Sequence, residues 1–419
     1  MRELTGGSES LESCGSWESL DSPNSPNPPN SLDSLKLPQG LLFVMIGRLG
    51  RSISQVSINT LIARAIGQQG AGLGASDQMR SGLYIDAPSD TGELMTVEEI
   101  FALVKRELRL VEEEFEKQVR DASPIVASIG HYLHEGGGKR VRPALVLLAA
   151  HLKGDGLAES AIRMATVMEM LHTATLVHDD IIDDARVRRG RASVNAKWGS
   201  EITVLLGDWL YMTAFDITLR ERNFDLLDTL TSMTRLMTEG EIIQLDMIGN
   251  SRISQEEHLD IVRRKTAFMF SACAEVGGIV GGANEDERTA LSRYGSSVGI
   301  AFQLIDDVLD FVSTEDKLGK PVANDLREGK LTLPLIYAME DGSTKERDMI
   351  ETVMRERGFK SVPRDEVLKV LTEHDALDRA RATAKRYAAQ AADALGVFAD
   401  SRYRRALLSI PQFIIERDM

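Results

Sequence analysis

Twice in this chain a pair of aspartates is followed, after two apolar residues, by a third. The first set is Asp179-Asp180-Ile181-Ile182-Asp183, with Asp184 next; the second is Asp306-Asp307-Val308-Leu309-Asp310. On a helix the first and fifth positions share a face, which pairs Asp179 with Asp183 and Asp306 with Asp310. Carboxylates held that way repel by a few tenths of a kcal/mol in the open and by more where water is excluded. Hard oxygen ligands are what Mg²⁺ selects, and Mg²⁺ characteristically joins one or two carboxylates to the phosphates of a substrate. One such cluster reads equally well as a solvated acidic helix end. Two matching clusters, each closing an apolar run (168–177 and 298–305), favour the metal.

Fixed positive charge for a diphosphate stands beside them. Gly136-Gly137-Gly138-Lys139-Arg140-Val141-Arg142-Pro143 supplies flexible backbone and then Lys139 and Arg142, whose spacing of three predicts one helical face. After the first acidic set, Arg186, Arg188, Arg189 and Arg191 crowd around Gly190. Guanidinium groups suit phosphate oxygens because they donate in pairs. Any one of these runs is most simply a solvated face. Acidic and basic clusters that alternate along the chain are what a metal–diphosphate site requires.

Such clusters need rigid carriers, and the surrounding sequence is helical in character. Leu, Ala, Met, Glu and Arg are plentiful and aromatics make up 5%, a composition that leans to helix. Residues 144–320 contain no proline, whereas a β-sandwich of that length needs turn punctuation. Thr96 and Glu99 are spaced as a capping box, and Ile100, Val104, Leu108, Val111 and Phe115 follow at helical intervals. A first helix is therefore expected to begin just after Met95. From there helix follows helix, with breaks near 136–138, 186–191, 314–330 and 358–363 and no linker or repeat. Residues 95–419 are expected to form one all-α domain. Upstream, 22–38 is rich in Ser, Pro and Asn, and 41–67 is apolar but interrupted by Gly47, Arg48, Gly50, Arg51 and Arg64. A disordered or non-native extension is the expectation for 1–94, and organelle targeting through 41–94 is the alternative.

Bulk properties exclude several classes. A 43% hydrophobic share suffices for a sizeable core. The formal charge of −15 argues against nonspecific binding to nucleic acid. Only Cys14 and Cys273 occur, far apart, so a reducing, cytoplasmic setting is expected rather than a disulfide framework. No apolar run reaches the roughly 18 to 20 residues that span a bilayer.

Together the motifs resemble those of the trans-isoprenyl diphosphate synthases, the polyprenyl synthetase family, over residues 95–419. The likeness rests on Gly137-Gly138-Lys139-Arg140-Val141-Arg142-Pro143, on 172–184, and on Arg188-Arg189-Gly190, Gly207-Asp208, Gly240-Glu241 and Lys265-Thr266-Ala267. It extends through 303–310 and the stretch holding Gly319-Lys320 and Gly329-Lys330, in the family's order. It implies an isoprenoid synthase fold, helices around a large central cavity, and a Mg²⁺-dependent prenyltransferase. Such an enzyme condenses isopentenyl diphosphate successively with an allylic diphosphate of the farnesyl or geranylgeranyl class. In that pattern Asp179 and Asp183 bind Mg²⁺ on one side of the allylic diphosphate, with Asp180 nearby. Asp306 binds a further ion from the opposite helix, supported by Asp307 and Asp310, and the family's complement is three ions. Lys139, Arg142, His172 and Arg189 match positions that hold isopentenyl diphosphate. Arg188, Lys265, Lys320 and Lys330 match those around the allylic diphosphate, and Thr266 and Gln303 those beside the developing cation.

Product length should depend on what lies one to two turns before the first motif. Ala174 and Thr175, roughly 6 to 8 Å down the axis, stand where short-chain members carry bulky aromatics. With small residues at that depth, the resemblance implies an open tunnel and a product of about six to ten isoprene units. The likeness also implies a homodimer, no transmembrane segment, transient membrane contact as a greasy product leaves, and a quinone side chain as destination. Three other readings stand beside this one. A shorter-chain synthase would share every motif. A class I terpene cyclase would need an Asn/Asp-Ser/Thr-Glu type motif where Asp306 to Asp310 stand. A noncatalytic subunit of a heteromeric synthase would be expected to have lost carboxylates that are intact here. His178 and Cys273 are read as packing residues.

Overall fold

The computed structural model describes residues 94–154, 156, 159–188, 190–313 and 322–416. The expectations for residues 1–93, for Arg189 and for Lys320 lie outside the described residues.

Helices form where apolar residues recur every three or four positions. α1 (Val97–Leu103) opens on the expected capping box: Thr96 Oγ1 accepts from the Glu99 amide at 3.2 Å, and the Glu99 carboxylate accepts from the Thr96 amide at 2.7 Å. The stripe that follows is not one helix. Val104 leaves helical geometry (φ −121°) and α2 (Lys105–Arg120) starts afresh, yet Ile100, Val104, Val111 and Phe115 are all buried. Next come α3 (Pro124–Glu135), α4 (Val141–Ala150) and α5 (Glu159–Ile182), the carrier of the first acidic motif. A two-residue antiparallel hairpin, β1 (Val187–Arg188) and β2 (Arg191–Ala192), is the only sheet among the described residues. α6 (Val194–Trp198), α7 (Ser200–Arg220), α8 (Phe224–Asp246) and α9 (Gln255–Val262) follow. A π-helical turn (Arg263–Ala267) leads into α10 (Phe268–Val280), and α11 (Glu285–Val312) carries the second motif. The remainder is α12 (Asn324–Arg327), α13 (Leu333–Asp341), α14 (Thr344–Glu356), α15 (Arg364–Glu373), α16 (Ala376–Ala394) and α17 (Arg402–Glu416).

The two acidic motifs sit on helices at the centre of the packing. α5 lies against α4 and α7; α10 lies against α4 and α11; α11 lies against α10 and α16. Close approach of α11 to the π-helical turn and α10 depends on missing side chains. A Cβ on Gly295 would stand 2.3 Å from the Phe270 carbonyl oxygen, and one on Gly299 would stand 2.6 Å from Ala267 Cα. Gly299 lies one turn before Gln303, so this bare surface is what lets Gln303 meet Thr266.

By length and composition alone α7 is apolar enough to cross a bilayer, although Asp208 and Asp216 interrupt its apolar run. Here one side of α7 is buried against α5.

Candidate active site

α5 presents Asp179 and Asp180 in its last turn, both buried. The helix stops because Asp184 turns left-handed (φ 46°), after which the Ala185 amide donates back to the Asp180 carbonyl at 3.0 Å. Neither side-chain oxygen of Asp179 has a hydrogen-bond partner among the described residues. Burial pushes its carboxyl well above the usual range and Asp183 adds to the effect; Arg188 and Lys265 oppose it, and Glu241 reinforces it. A buried carboxylate with no partner is strongly disfavoured until a cation meets it. Two orphaned hard oxygens beside a second carboxylate therefore fit a divalent ion.

Asp180 is differently engaged. Its Oδ1 accepts from Arg188 Nε at 2.6 Å. Burial raises its carboxyl and Arg188 only partly reverses this. Arg188, read as a diphosphate ligand, is thus anchored by the motif's middle aspartate.

On α11, Asp306, Asp307 and Asp310 are all buried. Asp307 accepts on both oxygens, from His258 Nε2 at 3.1 Å and from Gln303 Nε2 at 3.0 Å. Gln303 Oε1 in turn accepts from Thr266 Oγ1 at 2.9 Å. Asp310 Oδ2 accepts from the Asp325 amide at 3.0 Å, which fastens the segment after α11 to the motif.

The two motifs converge through the π-helical turn. Lys265 and Thr266, adjacent on that turn, point to different neighbours. Lys265 Nζ lies 3.1 Å from Glu241 on α8, donates to Gln244, and acts on the charge of Asp179. Thr266 reaches Gln303 and through it Asp307. Lys330 makes a second connection, pairing with Glu328 at 2.7 Å. Burial works against its charge, but Glu328, Asp325 and Asp183 together hold its pKa above the usual value. One mostly covered cation therefore feels the first motif and the segment that backs the second.

The isopentenyl set is built otherwise than the spacing suggested. Lys139 and Arg142 do not share a helical face, because Arg140 is left-handed (φ 51°) and α4 begins only at Val141. Arg140 instead turns to Glu169 at 2.5 Å and Glu112 at 3.3 Å. Arg142 is buried, donates to His172 Nε2 at 2.9 Å and lies over the Phe270 ring at 5.3 Å. Burial lowers its pKa. Arg191, in the loop read as a phosphate binder, pairs with Glu135 and stacks on Tyr132.

One turn before Asp179, Ala174 and Thr175 are fully buried, and the Thr175 hydroxyl donates to the His172 carbonyl at 2.7 Å. His178 packs as read: its Nε2 meets the Val204 carbonyl at 3.1 Å and its ring stacks on Tyr211. Cys273 is buried, its thiol pushed up to about 12. Sequence reasoning gave no role to Glu241, Gln244, His258 or Asp325. Glu241 was legible as part of Gly240-Glu241. The others carry no local signal, because their partners are distant in the chain.

Among the described residues no three His, Cys, Asp or Glu side chains form a ready-made cage for a metal. Asp-lined helix ends with fixed cations between them suit an ion completed by substrate oxygens. On a helical fold, that arrangement suits chemistry at a diphosphate ester. The polyprenyl synthetase model matches residues 123–371. An octaprenyl diphosphate synthase from Haemophilus influenzae is 37% identical over 327 residues, covering 78% of this chain and 98% of that one. A geranylgeranyl diphosphate synthase from Methanosarcina mazei is 35% identical over 293 residues, 68% of this chain and 88% of the relative. The crystal structure of a polyprenyl synthase from Caulobacter crescentus, complexed with calcium and isoprenyl diphosphate, superposes with a TM-score of 0.72 at 31% identity. It covers 78% of this chain and 99% of that one. The chain belongs to the polyprenyl synthetase family, and it is a trans-prenyl diphosphate synthase.

Proposed function

We propose that this enzyme uses Mg²⁺ to extend a farnesyl- or geranylgeranyl-class allylic diphosphate with successive isopentenyl units into a long all-trans polyprenyl diphosphate. The orphaned, buried pair of oxygens on Asp179, with Lys265 beside it, carries the reading. In this reading Asp179 and Asp183 hold one ion position and Asp306 with Asp310 another. When bound, the metal neutralises the diphosphate so that it can leave.

The chain's own residues do the rest. Lys265 and Lys330 place fixed charge on the leaving group, with Arg188 set by Asp180. The Thr266–Gln303 pair turns oxygen atoms toward the allylic carbon, where positive charge develops. Arg142 and His172 orient isopentenyl diphosphate so that its double bond attacks that carbon. The allylic carbon–oxygen bond breaks first, diphosphate departs with the electron pair, and the double bond then forms the new carbon–carbon bond to the cation. The proton lost from the isopentenyl unit goes to that diphosphate, since no motif side chain is an evident base. Buried walls keep water from the cation.

The small residues at 174 and 175 support a product of about six to ten units, because helix rise places them one turn below Asp179. Two copies are proposed to act as a homodimer in the cytoplasm, the product serving as a quinone side chain. The test is to incubate the purified chain with Mg²⁺, isopentenyl diphosphate and farnesyl diphosphate and to size the products. Long linear diphosphates are expected. Cyclised hydrocarbon, or no turnover without a partner protein, would overturn the reading.

A further inference from the structure

We propose that His258 is a positioning residue for prenyl transfer, fixing through Asp307 which end of the Gln303 amide faces Thr266. The inference rests on the site reading above and deepens it.

Four buried groups from three elements make one chain of hydrogen bonds. His258 Nε2 donates to Asp307 Oδ2 at 3.1 Å; Gln303 Nε2 donates to Asp307 Oδ1 at 3.0 Å; Thr266 Oγ1 donates to Gln303 Oε1 at 2.9 Å. The anchor is well supported. His258 lies in the first turns of α9, whose start is fixed by a capping box between Ser254 and Glu257, and its amide donates to the Ser254 carbonyl at 3.0 Å.

An amide can be turned end for end at almost no cost in shape, so its direction is decided by its partners. Asp307, as a carboxylate, accepts only, and therefore draws the Nε2 end of Gln303 toward itself. The Oε1 end is left for Thr266. In the site reading above the allylic carbon ionises beside the two oxygen atoms of that pair, whose dipoles favour the cation. The reverse orientation would aim N–H groups at developing positive charge.

This order lasts only while Asp307 keeps its rotamer. Its second oxygen is buried, and the described donor on it is His258. Without that donor the carboxylate loses a charge-assisted bond in a dry site. It can then turn away, and Gln303 Nε2 loses the acceptor that sets the direction of its amide. Asp307 thereby serves geometry, while Asp306 and Asp310, four apart on the same helix, remain for the metal.

The test compares His258→Phe, which keeps the ring and removes the donor, with His258→Gln, whose Nε2 restores one. In full-length enzyme with Mg²⁺, farnesyl diphosphate and isopentenyl diphosphate, H258F should lower kcat by about 10- to 100-fold, the usual scale for an outer residue that orients a ligand. Both KM values should stay within about threefold, and H258Q should recover most of the loss. Near wild-type kcat in H258F, a loss expressed in KM, or equal loss in both variants would overturn the proposal. Should H258F fail to fold, H258Q alone decides: kcat within about threefold of wild type supports the assignment, and a loss beyond about tenfold refutes it. Absence of elongation by the wild-type chain would instead sink the site reading, and this inference with it.

Discussion

Asp179 is where metal binding can be followed without measuring turnover. Its carboxyl is held well above the usual carboxylate range because burial strips it of water and Asp183 stands beside it. A carboxyl whose folded pKa is raised favours the folded state while protonated. That contribution is complete below the unfolded value and is lost as pH climbs through the folded one. In EDTA, Asp179→Asn should therefore match wild type in thermal midpoint at low pH and exceed it at high pH. Adding Mg²⁺ with inorganic diphosphate should reverse the order, because only the carboxylate gains a cation. A variant no more stable than wild type at high pH in EDTA would mean that this carboxyl is not strained when charged. Ala174 permits a second residue-scale prediction. If it faces a tunnel, Ala174→Phe fills space meant for product, and chromatographic sizing should show shorter chains at a rate within about threefold of wild type. If it faces only neighbouring side chains, the extra ring overpacks the core and costs about 1–3 kcal/mol with no change in length.

Between elements, the seam of α5 and α7 sets the first motif in place. Gly207 lies under His178, and an added Cβ would stand 2.2 Å from its Nε2. His178 is held by the Val204 carbonyl and by Tyr211, so it has little room to yield. Gly207→Ala is expected to push α5 and α7 apart at the residue preceding Asp179. Stability should fall by about 1–3 kcal/mol, read by denaturant midpoint, and kcat should fall with it. An unchanged midpoint would show that the seam tolerates a methyl group. This seam also marks how far the sequence could be read. α5 and α11 were legible because packing alone gives a long apolar run no reason to close on paired aspartates. Thr96 with Glu99 announced the first helix, though not its break at Val104, since the burial stripe continues through it. Lys139 and Arg142 misled because a spacing of three means one face only inside a helix. There the glycines and a left-handed Arg140 delay its start. The bond from His258 to Asp307 spans 49 positions, and no periodicity or motif encodes a contact made by tertiary packing alone.

At the scale of the molecule, the side of α7 turned away from α5 asks for a cover. Leu205, Met212 and Leu219 stand seven apart on it, exposed by 67%, 64% and 49%, and Phe224 at the start of α8 is 79% exposed. A stripe with that period keeps to one side of a helix and suits a second helix laid along it. A surface that meets its own copy across a two-fold axis must complement itself, and an apolar stripe does so in either direction. The stripe therefore supports the homodimer we propose on physical grounds independent of family membership. Leu205→Glu with Met212→Glu would place two carboxylates on each side of such an interface. Light scattering should then show a monomer where the wild type is a dimer, with dissociation at least roughly 100-fold easier, about 2.7 kcal/mol. Because the opposite side of the same helix holds Gly207 and Tyr211 against His178, kcat should also drop while circular dichroism stays helical. A double variant that remains dimeric places the interface elsewhere. A wild type that is monomeric yet sediments with lipid vesicles, and stops doing so in the variant, would assign this stripe to a membrane surface instead.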